Sequence, residues 1–216
     1  MTNLSNAEIW AAVHFERQAL IEDLSRLEPD KWRTPSSCPG WDVHDVLAHL
    51  VDSAKTTRLG FVRRMVAAGF DFDRDNAVGI TREKAANSDD TLNAFQEVRS
   101  HTATPPAALV TRLVEVFLHG EDIRRPLKIR RNYPPAYVSR ALAYQVKTSV
   151  KMGGGKEEAH GLRLIATDTS FEHGDGPEVH GPAIVLLLAV SGRPVEADEL
   201  TGPGARNFVT TPSEES

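Results

Sequence analysis

The chain has 216 residues, of which 40% are apolar and 25% charged, with a mean hydropathy of −0.33, so it is long enough to bury a globular core. Its net charge of −5 argues against nucleic acid or an acidic membrane surface as the main partner, because both select basic patches. The single cysteine, Cys38, excludes an intrachain disulfide, and the longest apolar run, at 183–190, is too short to span a bilayer. No secretory leader pattern opens the sequence, so we expect a cytoplasmic protein.

The first predicted helix covers residues 5–28. Ser5 is a suitable N-cap and Glu8 follows three residues later, which is the pattern of a capping box. Pro29 ends the helix, and a loop rich in Pro, Ser and Gly follows. The apolar residues at helical spacing are Ile9, Val13, Leu20, Leu24 and Leu27.

A second helix is predicted from Asp42 to about Gly69. Residues 70–88 are polar and irregular, so no element is predicted there. The apolar face of the second helix consists of Val43, Val46, Leu47, Leu50 and Val51, continued by Phe61, Val62, Met65 and Val66.

Three further helices are predicted at 88–103, 104–125 and 134–152. The fourth helix carries Pro105 and Pro106 in its first turn, where a missing N–H costs little. The fifth begins with two prolines in the same way.

The sequence changes character after residue 152. A glycine run at 153–161 predicts a linker or tight turn and does not match a phosphate-binding loop. Alternating residues at 162–171 predict a strand, a turn region follows at 174–182, and PAIVLLLAVSG (182–192) predicts a short buried helix.

These patterns indicate a mainly α protein with two domains. We expect a helical domain over residues 1–153 and a small α+β domain over 154–216, with a disordered tail after Val209. No internal repeat is present.

Glu115 and His119 are polar residues in an otherwise apolar helical stretch, RLVEVFLHGED. Four residues turn a helix by about 400°, so these side chains lie about 40° apart and one turn along. A buried, unpaired carboxylate is costly or takes up a proton, so Glu115 needs a partner. That partner is water at a rim position, a metal ion, or one of three arginines. The arginines are Arg112, Arg124 and Arg140.

His49 lies in the second predicted helix, on the same turn as Val46 and Leu50, so it points at least partly into the bundle. With the E-x-x-x-H pair it makes a set of two nitrogens and one oxygen, which is similar to a catalytic zinc site with an open fourth position. The alternative for His49 is a hydrogen-bonded core histidine. His44, near the helix start, is expected at the surface or behind a ligand.

Cys38 precedes the second helix in SSCPGWD. We favour a small buried residue in a tight turn over a metal ligand or reactive thiol, because no second Cys or nearby His has ligand spacing. Trp41 is expected to pack this loop on the bundle. Glu121 and Asp122 follow His119, and one of them either orients that histidine or serves ordinary charge pairing near the helix end.

Three stretches resemble the mycothiol-dependent maleylpyruvate isomerase family. They are WRTPSSCPGWDVHDVLAHL (32–50), EVFLHGEDIRRPL (115–127), and GPEVHGPAIVLLLAVSGR (176–193) followed by LTGPG (200–204). The match covers nearly the whole chain in the same order. The resemblance implies a DinB-like up-down four-helix bundle with a small α+β C-terminal domain.

The resemblance also implies a divalent metal, usually zinc, held by His49, Glu115 and His119, and mycothiol as the thiol cosubstrate. The thiolate would act on a small electrophilic substrate, by S-transfer or cis–trans isomerisation. Arg193 and Arg206 are candidate catalytic residues that hold an acidic substrate. We expect a monomer or homodimer without nucleic-acid or membrane partners.

Two other interpretations stay open at this point. One is a non-catalytic metal-binding or ligand-binding module with a stress or regulatory role. The other is a helical bundle in which Glu115 forms a buried salt bridge.

Overall fold

The computed structural model of the protein describes residues 4–209, and these form two compact units. The first unit is Ser5–Arg131, and the second contains Leu4 and residues 132–209. The expected disordered tail after Val209 lies outside the described residues. Within the described part of the chain, no helix is both long and apolar enough to cross a membrane.

The first unit is built from six α-helices. Helices α1, α2, α5 and α6 form a four-helix bundle in which α1 and α2 each contact both α5 and α6, and α4 packs against α2. The predicted four-helix bundle is therefore confirmed. The six helices are α1 (Asn6–Leu24), α2 (Val43–Lys55), α3 (Arg58–Ala67), α4 (Phe72–Glu83), α5 (Ser88–Glu97) and α6 (Thr111–Arg124).

Reciprocal capping boxes fix the starts of α1 and α2. The Ser5 hydroxyl accepts the Glu8 N–H at 3.3 Å, and the Glu8 carboxylate accepts the Ser5 N–H at 2.8 Å. Asp42 and Asp45 exchange the same pair of bonds at the start of α2. Each box satisfies backbone donors that the first helical turn leaves free, so local sequence sets these boundaries.

The prediction of one long second helix was wrong. The helix ends at Lys55, and Thr57 caps a separate helix, α3, by accepting the Gly60 N–H at 3.1 Å. This break redirects the chain, so Val62 and Val66 are exposed by 49% and 61% instead of continuing the buried face. Residues 70–88 also contain a helix, α4, which the polar sequence concealed.

Arg64 explains why the polar α4 is stable. Its guanidinium lies 2.7 Å from an Asp52 carboxylate oxygen on α2 and 2.8 Å from one of Asp75 on α4. These charge-assisted bonds tie α2, α3 and α4 together where an apolar stripe is lacking. Ion pairs to neighbouring helices, and not an apolar stripe in its own sequence, therefore hold α4 in place.

The other predicted helices are shorter than expected at their ends. The first ends at Leu24 and is followed by a 3₁₀ turn at Pro29–Arg33. The fourth begins at Thr111, so Pro105 lies before the helix and not in its first turn. The segment before Thr111 follows a series of turns in place of the first helical turns.

The second unit contains α7 (Pro135–Gln145), α8 (Ala183–Val190) and a three-stranded sheet. The sheet has the order β2-β1-β3, with β2 antiparallel and β3 parallel to β1. The strands are β1 (Arg163–Ala166), β2 (Glu172–His173) and β3 (Glu178–Gly181). The strand prediction at 162–171 and the buried helix are confirmed, whereas the region expected to be only a turn also holds β3.

Helix α7 groups with the second unit, which contains the residues from Asn132 onward. The reason is packing: α7 lies against the apolar α8, whose residues are nearly all buried. The glycine run after α7 closes that helix, since the N–H of Gly155 donates to the carbonyl of Gln145 at 2.9 Å.

Candidate metal centre

His49 on α2 and His119 on α6 meet in the interior of the first unit. Their ring centroids lie 4.9 Å apart in an edge-to-face arrangement. Glu115 lies one turn before His119 on the same helix, with a side chain only 9% exposed. The structure therefore brings the predicted pair on α6 and the predicted histidine on α2 into one cluster.

Glu115 is held through one of its two carboxylate oxygens. Oε2 accepts a hydrogen bond from the Ser53 hydroxyl and forms an ion pair with Nη1 of Arg112 at 2.9 Å. Nη1 of Arg112 also donates to the Ser53 hydroxyl at 2.8 Å. The second oxygen, Oε1, is buried and has no hydrogen-bond partner within the described residues. Glu115 is therefore a fixed carboxylate with one oxygen left to bind another group.

Of the three arginines considered for Glu115, only Arg112 pairs with it among the described residues. Arg124 is bound to Asp23 at 2.7 Å. Ser53 was missed by sequence analysis, although a signal existed: it lies four residues after His49 and so on the same face of α2.

The surroundings of Glu115 and His49 determine the charge that each side chain carries. Burial alone would raise the pKa of Glu115, but the Arg112 guanidinium and the Ser53 hydroxyl outweigh it, so the pKa is lowered. Burial, and after it the adjacent His119, lower the pKa of His49 to about 3. The centre thus holds an ionised carboxylate beside a neutral imidazole, the forms in which both residues bind metals.

Asp122 lies against His119, at 2.9 Å from its Nδ1 to the carboxylate Oδ2. Asp122 is fully buried. Because a carboxylate accepts hydrogen bonds, Nδ1 carries the proton and Nε2 keeps its lone pair. Glu121, the other acid considered for this role, instead pairs with Arg125 at 3.0 Å.

Cys38 is buried, as expected, but it also touches this site. Its Sγ donates to Asp122 Oδ2 at 3.0 Å and lies 3.8 Å from His119 Nδ1. The Ser37 N–H donates to the backbone carbonyl of Asp122 at 3.1 Å. The loop before α2 is therefore fastened to α6 beside His119, a contact that no local spacing in the sequence indicates.

Two donor sets share His119. The ligand atoms of Cys38, His119 and Asp122 all lie within 4.8 Å of one another. In that set the thiol and the carboxylate already bind each other. In the set of His49, Glu115 and His119, by contrast, His49 Nδ1 and Glu115 Oε1 are both buried without hydrogen-bond partners in the described chain. Among the described residues, His49, Glu115 and His119 do not form a group whose ligand atoms all lie within 4.8 Å of one another. A divalent cation would nevertheless satisfy the two unpartnered atoms, and two imidazoles with one carboxylate suit zinc chemically. Metal binding by these three residues stays a prediction.

Trp41 forms an aromatic wall of the cluster. Its ring centroid lies 5.1 Å from that of His49 and 6.5 Å from that of His119. His44 is separate: its Nε2 bonds the Thr91 hydroxyl at 2.7 Å, and the residue is buried, so the expected surface position was wrong. The hydrogen bond to Thr91 explains how this histidine is accommodated in the core.

The two candidate catalytic arginines lie in the second unit. Arg193 follows α8 and donates to the Ser191 carbonyl at 2.9 Å, and Arg206 is exposed and donates to the Pro203 carbonyl at 3.3 Å. Their role in binding a substrate stays a prediction.

The helical bundle with its buried histidines and glutamate defines a protein of the DinB-like class. Residues 13–124 match the family model described as the mycothiol maleylpyruvate isomerase N-terminal domain. That match spans more than half of the 216 residues. The chain therefore belongs to this family.

Two solved structures share the fold: a mycothiol-dependent maleylpyruvate isomerase and a point mutant of that enzyme. Each superposes with a TM-score of 0.66 at 18% identity, over 95% of this chain and 97% of the other. No curated protein sequence matches the chain.

Proposed function

We propose that this protein is a zinc-dependent or other divalent-metal-dependent enzyme that activates a mycothiol-like thiol. The activated thiol acts on a small electrophilic substrate by S-transfer or cis–trans isomerisation. The observation that carries the proposal is the pair of orphaned buried atoms, His49 Nδ1 and Glu115 Oε1, beside His119 in a chain of this family.

His49, Glu115 and His119 are the proposed ligands. A bound zinc ion would lower the pKa of a coordinated thiol, so that a nucleophilic thiolate is present at neutral pH. Three protein ligands leave a position for that thiol.

The residues around the ligands have supporting tasks. Arg112 and Ser53 keep Glu115 ionised and fix its orientation, leaving Oε1 for the metal. Asp122 holds the proton of His119 on Nδ1, which would leave the Nε2 lone pair available to a bound metal ion. Trp41 covers both imidazoles and limits the access of water.

We further propose that Arg193 or Arg206 holds an acidic group of the substrate and that the protein acts in the cytoplasm, where its single cysteine stays reduced. Its partners are the thiol and the electrophile.

Metal analysis of the purified protein tests the ligand set. The wild type is expected to hold about one divalent ion per chain. His49→Ala, Glu115→Gln and His119→Ala should each abolish stoichiometric binding, while the exposed control His101→Ala retains it. Unchanged metal content in all three variants, with native circular dichroism, would contradict the site.

Thiol chemistry is tested separately on the metal-loaded protein. Mycothiol, bacillithiol and glutathione are compared in a thermal-shift assay and then in conjugation and isomerisation assays with small electrophiles. A shift and turnover with a thiol, lost in Glu115→Gln, supports the enzyme. Stoichiometric metal without any thiol reaction favours the non-catalytic metal-binding module.

A further inference from the structure

The second unit contains a cavity of about 140 Å³ between the start of α7 and the turn that joins β1 to β2. Its polar lining residues include Arg140, Thr169 and Ser170. The buried Phe171 is among the apolar residues of the lining. No acidic residue lines this cavity.

Among the residues that line the cavity, Arg140 differs from the rest because it is charged and lacks a partner in the described chain. Its Nε is buried and has no hydrogen-bond partner, and the side chain has no ion-pair partner within residues 4–209. Three buried arginines also have a guanidinium nitrogen without a partner, but each makes another bond to the protein: Arg17 to the His101 carbonyl, Arg112 to Glu115 and Arg124 to Asp23. Arg140 is half-buried and makes no such bond within residues 4–209. A guanidinium N–H that is removed from water without an acceptor is costly, so this arrangement is suited to receive an acceptor from outside the chain.

The hydroxyls beside Arg140 add to this donor set. Thr169 and Ser170 have no hydrogen-bond partner through their side chains among the described residues, so both can donate into the cavity. A guanidinium fork with neighbouring hydroxyls is the arrangement that recognises the planar or tetrahedral oxygens of a carboxylate or phosphate.

The size of the cavity limits the ligand. A volume of about 140 Å³ corresponds to roughly four or five water molecules at about 30 Å³ each. This volume is large enough for a single anionic group such as a carboxylate or a phosphate.

We propose that this cavity is a binding site for a small oxyanion, with Arg140 as its main charge partner and Thr169 and Ser170 as hydroxyl donors. The site lies wholly within the second unit and does not depend on the metal centre. The anion-site proposal and the proposed metal-dependent function can therefore each be wrong without affecting the other.

Titration of the full-length protein with simple anions tests this site. Sodium phosphate and sodium sulfate form one arm, and acetate and pyruvate form the other, all at ionic strength matched with chloride. Thermal shift and calorimetry should show saturable binding in at least one arm. The arm that binds shows whether the site prefers a tetrahedral oxyanion or a carboxylate. No saturable binding of any anion to the wild type would overturn the proposal.

Arg140→Gln should weaken the anion affinity about tenfold or more, because a charge-assisted hydrogen bond is lost. Arg140→Lys should retain part of it. The matched control is Arg130→Gln, which removes an exposed arginine of the first unit. Equal binding by Arg140→Gln and the wild type would contradict the site.

Ser170→Ala separates a loss of anion binding from a loss of folding. Ser170 is exposed, so its truncation cannot disrupt the core. We expect a several-fold loss of anion affinity in this variant with an unchanged unliganded melting temperature. If neither Ser170→Ala nor Thr169→Ala alters affinity, the anion binds elsewhere on the protein.

Discussion

His119 and Asp122 are joined by a contact of 2.9 Å between Nδ1 and Oδ2, three residues apart on α6. The same carboxylate oxygen accepts the Cys38 thiol at 3.0 Å. Asp122 therefore connects a proposed metal ligand to the loop before α2. This relationship makes the geometry of His119 dependent on residues that do not bind the metal themselves.

Asp122→Asn should lower metal affinity by about 10- to 100-fold, because the amide no longer enforces the proton on Nδ1 of His119. Competition with a chromophoric chelator measures the change. Asp90→Asn, an exposed acid-to-amide change on α5, serves as the control. Equal affinities for the Asp122 variant and the wild type would show that this contact does not orient the histidine.

Cys38→Ala should weaken metal binding several-fold, whereas Cys38→Ser should stay near the wild type because it keeps a donor for Asp122. The protein loaded with Co²⁺ provides the check. A thiolate-to-metal charge-transfer band that disappears in Cys38→Ser would instead make Cys38 a ligand, in the alternative set with His119 and Asp122.

Arg112→Gln should lower the free energy of unfolding of the metal-free protein by about 3 kcal/mol, because it leaves Glu115 buried without its charge partner. Urea unfolding measures the loss. The double variant Arg112→Gln, Glu115→Gln should recover part of the stability, since the uncompensated charge is gone. A double variant less stable than Arg112→Gln would contradict this account.

Lys84 links the end of α4 to the start of α2. Its Nζ lies 2.8 Å from Asp45 and 3.2 Å from Asp42. Burial opposes ionisation of both Lys84 and Asp45, but their mutual contact outweighs it, so the pKa of Lys84 is raised and that of Asp45 is lowered.

Lys84→Met should therefore reduce stability by about 0.5–1 kcal/mol near neutral pH. The raised pKa of Lys84 gives a stabilisation that is complete below about pH 10.4 and is lost above it. The lowered pKa of Asp45 gives one that is present above about pH 3.9 and is lost below it. The difference between variant and wild type should shrink at both extremes. Lys31→Met, in an exposed pair, should show no difference at any pH.

In the glycine run after α7, we expect alanine to cost more stability at Gly155 than at Gly153. A Cβ on Gly155 would lie 2.2 Å from the Val190 carbonyl oxygen, whereas one on Gly153 meets nothing within 4 Å. Gly153 has a φ of 75°, so Gly153→Ala should cost about 1–2 kcal/mol through backbone strain alone. Gly155→Ala should cost more, because the backbone of α8 must move. Thermal unfolding compares the two, and equal losses would rule out the close approach.

Features carried by neighbouring residues could be predicted from the sequence. The capping box of Ser5 and Glu8 was predicted because helix geometry places the two residues together. The same geometry placed Glu115 and His119 on one face. Helix α4 was not predicted, because its stability comes from Arg64 and its distant carboxylates and not from apolar periodicity.

The amino-acid sequence alone was sufficient for the helical class, the family resemblance and the choice of His49, Glu115 and His119 as candidates. It left open whether Arg112, Arg124 or Arg140 pairs with Glu115, because all three were compatible with its charge. It also gave no indication that Cys38 contacts Asp122, 84 residues away. Such contacts depend on how α2, α6 and the loop before α2 pack, since only packing brings residues far apart in the chain within hydrogen-bond distance.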